Sequence, residues 1–359
     1  MSEENGGTAR KAGWSCLGCG VGMVISLFLV LGLIGLALYG LGSAVSSGLE
    51  SSGHSSSPYD PDNLEEEYLQ GKRGEDVPKI AVVKVHGVIA SDDEACISTL
   101  ADPRYVCLRI RRAGSDPKVK ALVIDLNTPG GEVVASDEIY EEIRRFRKKT
   151  GKPAIAMMNT IAASGGYYIA SACNPIVANK LTMTGSIGVI ISTCNYRGLF
   201  EKIGLQSEVY TSGKMKDMLN GGRARTPEEV RIVQKLIDGT YREFVRIVAE
   251  SRKIPAEKIM NSEIGDGRIF DGVQAKQLGL VDTLGYFRDA VEIAAGRAKL
   301  KPGSYQVIGY KEPFSFSRMM ALLSSRGGSV PLSFSLNGNP ANRTFVPKPG
   351  MLYYLPAGY

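Results

Sequence analysis

The hydrophobic pattern of the chain begins with one long apolar run near the N-terminus. Nearly every residue from Val21 to Leu41 is apolar, and no charged side chain occurs from Ala12 to Leu49. At about 1.5 Å per helical residue, this run spans roughly 30 Å, the thickness of the hydrocarbon core of a bilayer. It is also longer than the apolar region of a cleaved signal peptide, about 7 to 15 residues. The pattern predicts an uncleaved transmembrane anchor over residues 21–42, with a cleaved signal peptide as the alternative.

The charges on either side of this run indicate its orientation. Arg10 and Lys11 precede it, whereas Glu50 follows it. Positively charged residues favour the cytoplasmic side of a membrane. Residues 1–20 are therefore expected in the cytoplasm, and everything after about residue 45 is expected outside it.

A polar stretch separates the apolar run from the rest of the chain. Residues 46–70 are rich in serine, glycine and acidic side chains and show no apolar period. This composition is typical of a linker. We expect residues 43–77 to form a flexible linker.

Beyond the linker, short apolar runs of strand length alternate with longer amphipathic segments. This alternation predicts an α/β fold of repeated ββα and βα units, with a mostly parallel sheet covered by helices. The main folded domain is expected over residues 78–298, followed by a loosely ordered tail over residues 299–359. The predicted strands are 80–85, 121–126, 154–158 and 206–211, and the predicted helices are 133–149, 165–172 and a helix from the capping box of Thr226 and Glu229 to about Arg252.

Composition excludes two kinds of site. The 43 Lys and Arg against 37 Asp and Glu give a formal net charge of +6, without the concentrated basic face of nucleic-acid-binding proteins. Only two histidines occur: His54 lies in the linker, and His86 ends the first predicted strand as a packed or edge residue. A histidine-rich metal site is therefore excluded.

Four of the six cysteines lie in the part of the chain expected outside the membrane, where disulfides are permitted. Four cysteines allow three pairings. Cys96 with Cys107 and Cys173 with Cys194 close the shortest loops.

Two glycine-rich loops follow predicted strands, where the sites of parallel sheets are built. The first, Asn127–Gly131, has adjacent glycines whose amides could bind a developing oxyanion, although such turns often contain proline and glycine for geometry alone. The second, Ala162–Gly166, carries Ser164 at a sharp turn into a helix, between side chains too small to obstruct a substrate. Ser164 could be a nucleophile or a helix N-cap, and the two roles are compatible.

A serine nucleophile needs a base, which is normally a histidine. Since His86 is the only histidine of the outer domain, the base is either His86 or another residue type. A lysine can serve if burial lowers its pKa from about 10.4 toward 7 or 8. The loop Ser212–Leu219 contains Lys214 and Lys216 among methionines and a leucine, and periodicity does not choose between the two.

Five motifs, LNTPGG, AASGGYYIASA, MTGSIGV, SGKMKD and DGVQAKQLGLVD, occur in this order within about residues 78–298. Together they resemble the motifs of the signal peptide peptidase A family, membrane-anchored serine proteases with a Ser-Lys dyad and a Clp-protease/crotonase-like fold. Two departures are visible. Thr128 stands where family members usually carry serine, and the segment after Lys216 lacks the usual Ser-Pro. The second departure concerns substrate preference more than chemistry.

The resemblance implies a role for each matched residue. Ser164 would be the nucleophile and Lys216 its general base. The amides of Gly131 and Gly165 would form the oxyanion hole, and Ser186 would hydrogen-bond the lysine amine and orient it. No metal or organic cofactor would be needed.

The resemblance also implies substrates, partners and location. The substrates would be cleaved signal peptides and other membrane-associated peptides, and the protein would form a ring-shaped homo-oligomer on the bacterial inner membrane. Neighbouring subunits would contribute Ser164 and Lys216. Two alternatives are a crotonase-like acyl-CoA enzyme, in which Ser164 and Lys216 would have no purpose, and a catalytically inactive ring scaffold, which an intact dyad disfavours.

Overall fold

The computed structural model describes residues 61–91, 100–311 and 352–354. The predicted anchor over residues 21–42 and His54 lie outside these ranges. None of the helices within them has the length and apolar composition to cross a membrane. All described residues belong to one compact unit that begins at Pro58.

Fourteen described strands form two sheets. They are β1 Glu65–Gly71, β2 Lys79–His86, β3 Val88–Ile89, β4 Leu100–Ala101, β5 Val119–Thr128, β6 Gly131–Glu132, β7 Ala154–Ala163, β8 Ile176–Ala178, β9 Met183–Gly185, β10 Ile190–Ile191, β11 Ile269–Phe270, β12 Thr283–Leu284, β13 Gln306–Lys311 and β14 Leu352–Tyr354. The large sheet has the order β1-β13-β2-β5-β7-β8-β12, with β9 also paired to β7 and β11 to β9. The small sheet has the order β10-β14-β6-β3-β4.

Eight α-helices are described, and helices pack on both faces of the large sheet. They are α1 Pro103–Ser115, α2 Val133–Thr150, α3 Gly165–Ala170, α4 Arg197–Lys202, α5 Pro227–Arg252, α6 Ala256–Met260, α7 Gly272–Gln277 and α8 Phe287–Arg297. The capping box predicted for α5 is present: the Glu229 amide donates to the Thr226 hydroxyl, and the Thr226 amide donates to the Glu229 carboxylate.

The centre of the large sheet is buried on both faces. Strands β2, β5 and β7 run parallel, with Val83 opposite Ile124 and Ile124 opposite Ala156. Ile124 belongs to the larger core, which includes side chains of α1, α2 and α3, whereas its neighbour Val123 packs on the other face with residues of α8. Burial on both faces explains why these strands are continuous apolar runs in the sequence.

The predicted α/β fold with a mostly parallel sheet is confirmed, since only β1 and β11 pair antiparallel in the large sheet. The predicted strand at 206–211 is wrong. These residues form no strand, and every one of them is exposed. Its alternating side chains have no core to face, so the local β preference is not realised.

The sheets extend beyond the expected domain limits of 78 and 298. Strand β1 lies within the expected linker and pairs antiparallel with β13, which lies within the expected tail together with β14. Strand β1 is acidic and mostly exposed, as suits an edge strand that must not pair with other chains. Lys79 joins it to the domain by ion pairs with Glu66 at 2.7 Å and Asp116 at 2.9 Å.

The shortest-loop disulfide pairing is wrong for Cys173 and Cys194, which are both free thiols. Cys173 is buried beneath the sheet, whereas Cys194 is exposed. Cys107 is also free and buried, and Cys96 lies outside the described residues. Loop length does not place two thiols within bonding distance.

Candidate active site

Ser164 occupies a strained turn at the carboxyl end of β7. Its φ of 53° and ψ of −114° lie in a region that side-chain-bearing residues rarely adopt, and α3 begins at the next residue. The side chain is fully buried, yet its Oγ has no hydrogen-bond partner among the described residues and makes no capping bond to α3. Because a buried hydroxyl without a partner costs free energy, Ser164 is poorly explained as a structural N-cap.

The glycine loop before β6 lies directly against this turn. A Cβ added to Gly130 would lie 2.7 Å from the Gly165 nitrogen, and one added to Gly165 would lie 3.2 Å from the Gly131 nitrogen. A Cβ on Gly131 would meet the Ile89 carbonyl oxygen at 1.9 Å. The three glycines therefore pack backbone against backbone, which brings the amides of Gly131 and Gly165 into one small region next to Ser164.

Thr128 shapes this loop, a contribution that the sequence reasoning missed. Its side chain is fully buried, and its Oγ1 accepts a hydrogen bond of 3.1 Å from the Gly130 amide. Its methyl group would lie 2.8 Å from a Cβ added to Gly166. Thr128 therefore supplies the same hydroxyl as the serine usual at this position, and its methyl group also contacts α3.

The TGSIGV segment meets the serine turn through the main chain. The Ser164 amide donates to the Gly185 carbonyl oxygen at 2.8 Å, and Ala163 is the register partner of Gly185. The next residue, Ser186, is buried with a φ of 50°, and its amide donates to the Arg268 carbonyl oxygen at 2.8 Å. Ser186 is therefore held beside the serine turn.

The lysine loop makes no hydrogen bond to the Ser164 hydroxyl within the described part of one chain. Lys216 is exposed, and the Ser164 Oγ has no hydrogen-bond partner among the described residues. Lys214 is 77% exposed and donates to Glu228 at 2.7 Å, a hydrogen bond that raises the pKa of its ammonium group. Lys216 makes no ion pair within the described part of the chain. Of the two lysines, Lys216 is the one whose amine is available.

Arg223 anchors the lysine loop to α5. This contact was not predicted from the sequence. Arg223 donates to both carboxylate oxygens of Asp217, at 2.9 and 2.6 Å, and to Glu229 at 2.5 Å. These hydrogen bonds lower the pKa of the Asp217 carboxyl group and lower that of Glu229 to about 2. Glu229 is also the capping-box residue of α5. The sequence identifies Glu229 through the capping box. Its ion pair with Arg223 was not predictable, because this contact depends on how the loop folds back.

His86 is not the partner of Ser164. Its Nε2 lies 3.1 Å from Asp125 Oδ2, and the Asn159 side chain donates to the other oxygen of the same carboxylate. The predicted position of His86 at the end of the first strand is confirmed. Since the Ser164 hydroxyl has no described partner, the imidazole makes no hydrogen bond to it.

Comparison with known proteins identifies the family of the chain. The sequence model of Peptidase family S49 matches residues 146–301. A Synechocystis protein described as a protease is 41% identical over 235 residues, which cover 66% of this chain and 80% of that protein. An Enterococcus faecium protein described as a signal peptide peptidase SppA is 34% identical over 304 residues, 84% of this chain and 85% of the relative.

A plant relative indicates which type of protease the chain resembles. The chloroplastic serine protease SPPA of Arabidopsis thaliana is 35% identical over 221 residues, which cover 61% of this chain and 31% of the plant protein. The two bacterial matches extend over most of both chains, whereas the plant match covers one part of a longer protein. The chain therefore belongs to the signal peptide peptidase A family, peptidase family S49, and is a serine-type protease.

Proposed function

We propose that the protein is a membrane-anchored endopeptidase that degrades cleaved signal peptides and other membrane-associated peptides, with Ser164 as nucleophile and Lys216 as general base. One observation carries the proposal: the Ser164 hydroxyl is buried on a strained turn beside the amides of Gly131 and Gly165, and no described residue hydrogen-bonds it. Strain and an unused hydroxyl are costs that a reactive site explains.

The reaction is an acyl transfer to serine followed by hydrolysis. The neutral amine of Lys216 takes the proton of the Ser164 hydroxyl while Oγ bonds to the carbonyl carbon of the substrate. The amides of Gly131 and Gly165 stabilise the resulting oxyanion. When the intermediate collapses, the C–N bond breaks and the leaving amine takes the proton from the lysine ammonium. The neutral amine of Lys216 then deprotonates a water molecule, which attacks the acyl group. The acyl group leaves as the acid, Ser164 Oγ takes back a proton from the Lys216 ammonium, and both residues are restored.

We infer that the lysine of each site comes from a neighbouring subunit in a ring-shaped homo-oligomer. Lys216 is exposed and makes no hydrogen bond to the buried Ser164 hydroxyl within the described part of one chain, which supports this arrangement. Large apolar side chains are exposed just before the lysine loop, as expected for a surface that a second subunit covers. They are Leu199, Ile203, Leu205, Val209 and Tyr210, the last being 91% exposed.

The apolar run over residues 21–42 supports a membrane anchor, with the catalytic domain outside the cytoplasm of a bacterial cell. A site tethered close to the membrane suits substrates that remain in the bilayer. The sheet built from βα units, with the serine turn and the glycine loop at its carboxyl edge, supports a Clp-protease/crotonase-like fold.

The test is cleavage of a synthetic signal peptide by the detergent-solubilised full chain. We expect Ser164→Ala and Lys216→Ala to abolish cleavage and Lys214→Ala to retain most of it, with oligomeric size unchanged in all three. Full activity of purified Lys216→Ala would refute the dyad. For the substrate, membranes with the Ser164→Ala variant should accumulate signal-peptide fragments that wild-type membranes lack, and equal fragment levels would refute the proposed substrate.

A further inference from the structure

A cavity of about 740 Å³ lies at the amino edge of the large sheet, where β7 begins. It is lined by the last turns of α2, by the loop 151–153 that leads into β7, and by Asn174 and Arg297. Ser164 follows the opposite end of β7. Because the ten residues of this strand span roughly 30 Å, the cavity is separate from the candidate active site.

The lining of this cavity is strongly basic. Among the described residues that line it, six are cationic and one, Glu141, is acidic. Glu141 pairs with Arg144 at 2.7 Å, whereas Arg145 lies 3.9 Å from Glu142, a carboxylate that Arg111 approaches to 2.8 Å. The six cationic residues are Arg144, Arg145, Arg147, Lys148, Lys152 and Arg297.

Most of this positive charge has no carboxylate to neutralise it. Four of the six cations make no ion pair within the described ranges 61–91, 100–311 and 352–354: Arg147, Lys148, Lys152 and Arg297. Arginines elsewhere in the domain do have such partners, as Arg252 has in Asp282 at 2.7 Å. Since like charges in one cavity repel one another, a bound anion would stabilise this arrangement.

Two of the four unpaired cations are held in place by main-chain oxygens. The Arg147 guanidinium donates to the Ala172 carbonyl oxygen at 2.6 Å, and the Lys152 ammonium donates to the Asp116 carbonyl oxygen at 2.9 Å. Both residues are half-buried. Burial lowers the pKa of the Lys152 ammonium. A carbonyl group fixes the position of a cation but leaves its net charge in the cavity.

The dipole of α2 explains only part of this cluster. Cations in the last turn of a helix are stabilised by its dipole, and α2 carries Arg147, Lys148 and Lys149 there. Lys152 follows the helix, and Arg297 comes from α8, which packs on the other face of the large sheet. Cations from three separate segments therefore converge on one cavity.

We propose that this basic cavity binds a phosphate-bearing anion. Guanidinium groups bind phosphate oxygens through two parallel N–H donors, and ammonium groups act as point charges beside them. The volume lies within the range of small-molecule sites, roughly 300 to 1,000 Å³, and exceeds what one phosphate ion fills. The ligand therefore carries several phosphates, as a soluble polyphosphate does, or one phosphate on a larger body, as a phospholipid headgroup does.

The test is titration calorimetry on the detergent-solubilised full chain, with sodium tripolyphosphate as the probe. The cavity variant Lys148→Gln/Arg297→Gln should bind it at least about tenfold more weakly than the wild type, because each charged contact contributes more than about 1 kcal/mol. Both side chains are exposed, so the variant should stay folded.

The matched control is Lys149→Gln/Arg288→Gln. It removes one cation from each of the same two helices, and neither residue lines the cavity. The control should bind as the wild type does. Equal binding by the wild type and the cavity variant would overturn the proposal. An equal loss in both variants would also overturn it, since that result indicates an effect of overall charge.

A second probe distinguishes the two sources of phosphate. Glycerophosphoglycerol is the headgroup of an anionic phospholipid without its acyl chains, and glycerophosphocholine is the zwitterionic control. Binding of glycerophosphoglycerol alone of these two, lost in the cavity variant, would identify a lipid headgroup. Cavity-dependent binding of tripolyphosphate without binding of glycerophosphoglycerol would identify a soluble polyphosphate. If neither probe binds in a way that depends on the cavity residues, the proposal fails.

Discussion

The amide of Ser164 donates a 2.8 Å hydrogen bond to the carbonyl oxygen of Gly185. This bond joins the serine turn to the segment that carries Ser186, and both Ser164 and Gly185 have positive φ values, 53° and 83°. Gly185 tolerates this conformation, whereas Ser164 carries a Cβ that does not. The turn therefore holds strain at the residue proposed to react.

This strain predicts opposite effects on activity and stability. Ser164→Gly should be inactive yet more stable than Ser164→Ala by about 1 kcal/mol, because glycine removes the clash of the Cβ. Thermal unfolding of both variants at equal protein concentration measures the difference. If Ser164→Ala unfolds at the same temperature as Ser164→Gly or at a higher one, the turn is not strained as described.

Sharing of sites between subunits predicts rescue in mixed assemblies. Oligomers of Ser164→Ala alone and of Lys216→Ala alone should be inactive. When the two variants are dissociated and reassembled in equal amounts, roughly a quarter of the sites should combine an intact serine with an intact lysine from its neighbour. Peptidase activity should recover to that level. Sites built within single chains would give no recovery.

The Arg223 contacts predict loss of activity when the lysine loop is released. Arg223→Gln should lower kcat/KM by about tenfold or more, because misplacement of a catalytic group by about 1 Å can cost about a hundredfold. Arg246→Gln is the matched control: Arg246 lies on α5 and pairs with Glu243 and Glu250 on its surface. Equal activity of the two variants would show that the anchor does not position Lys216.

The same contacts predict a pH dependence. Hydrogen bonds from Arg223, with a smaller contribution from Thr226, lower the pKa of Glu229 from 4.5 to about 2. A carboxyl group whose pKa is lowered by folding stabilises the folded state above its unfolded pKa and loses this effect as pH falls through the folded one. The stability difference between wild type and Arg223→Gln should therefore be constant above about pH 5 and shrink between pH 4.5 and 2. Urea unfolding of both proteins across this pH range measures the difference in stability. A difference independent of pH would contradict the contact between Arg223 and Glu229.

The close glycine packing predicts that Gly131→Ala abolishes activity, because its Cβ would lie 1.9 Å from the Ile89 carbonyl oxygen and displace the oxyanion loop. Gly239→Ala in α5 is the control. Nothing lies within 4 Å of a Cβ there, so this change should keep full activity and stabilise the helix by about 0.5 to 1 kcal/mol. An active Gly131→Ala enzyme would exclude Gly131 from the site.

The free thiols predict selective labelling. Burial raises the pKa of the Cys107 and Cys173 thiols to about 12, so both should resist an alkylating reagent in the native protein at pH 8. Cys194 is exposed and should react within minutes. Peptide mass spectrometry after labelling, with a denatured sample as control, gives the rates. A disulfide-linked peptide containing Cys173 and Cys194 would contradict the structure.

The sequence alone was sufficient for the features that depend on local patterns. Strand β2 and helix α2 were predicted to within one residue at each end, and the capping box of α5 was predicted correctly, since apolar period and cap chemistry act over a few neighbouring positions. Strand β5 is two residues longer at each end than predicted, and β7 continues five residues beyond the predicted end. The glycine loop and Ser164 were identified because small residues at strand ends are visible in the chain itself.

Contacts between distant segments were not predictable in this way. The pairing of β1 with β13 joins segments more than 230 residues apart, and neither has an apolar pattern that identifies its partner. The predicted strand at 206–211 had the local preference but no partner strand. The Arg223 contacts likewise depend on how the chain folds back.

The sequence by itself therefore determined the α/β class, the order of the central elements and the residues capable of serine chemistry, because hydrophobic period and backbone preference are short-range properties. Only the tertiary structure decided that Ser164 is strained, that its hydroxyl has no hydrogen-bond partner among the described residues, that the amides of Gly131 and Gly165 converge, and that Lys216 is exposed. Those relationships arise from packing between segments far apart in the chain, where burial and close backbone contact, not local preference, select the arrangement.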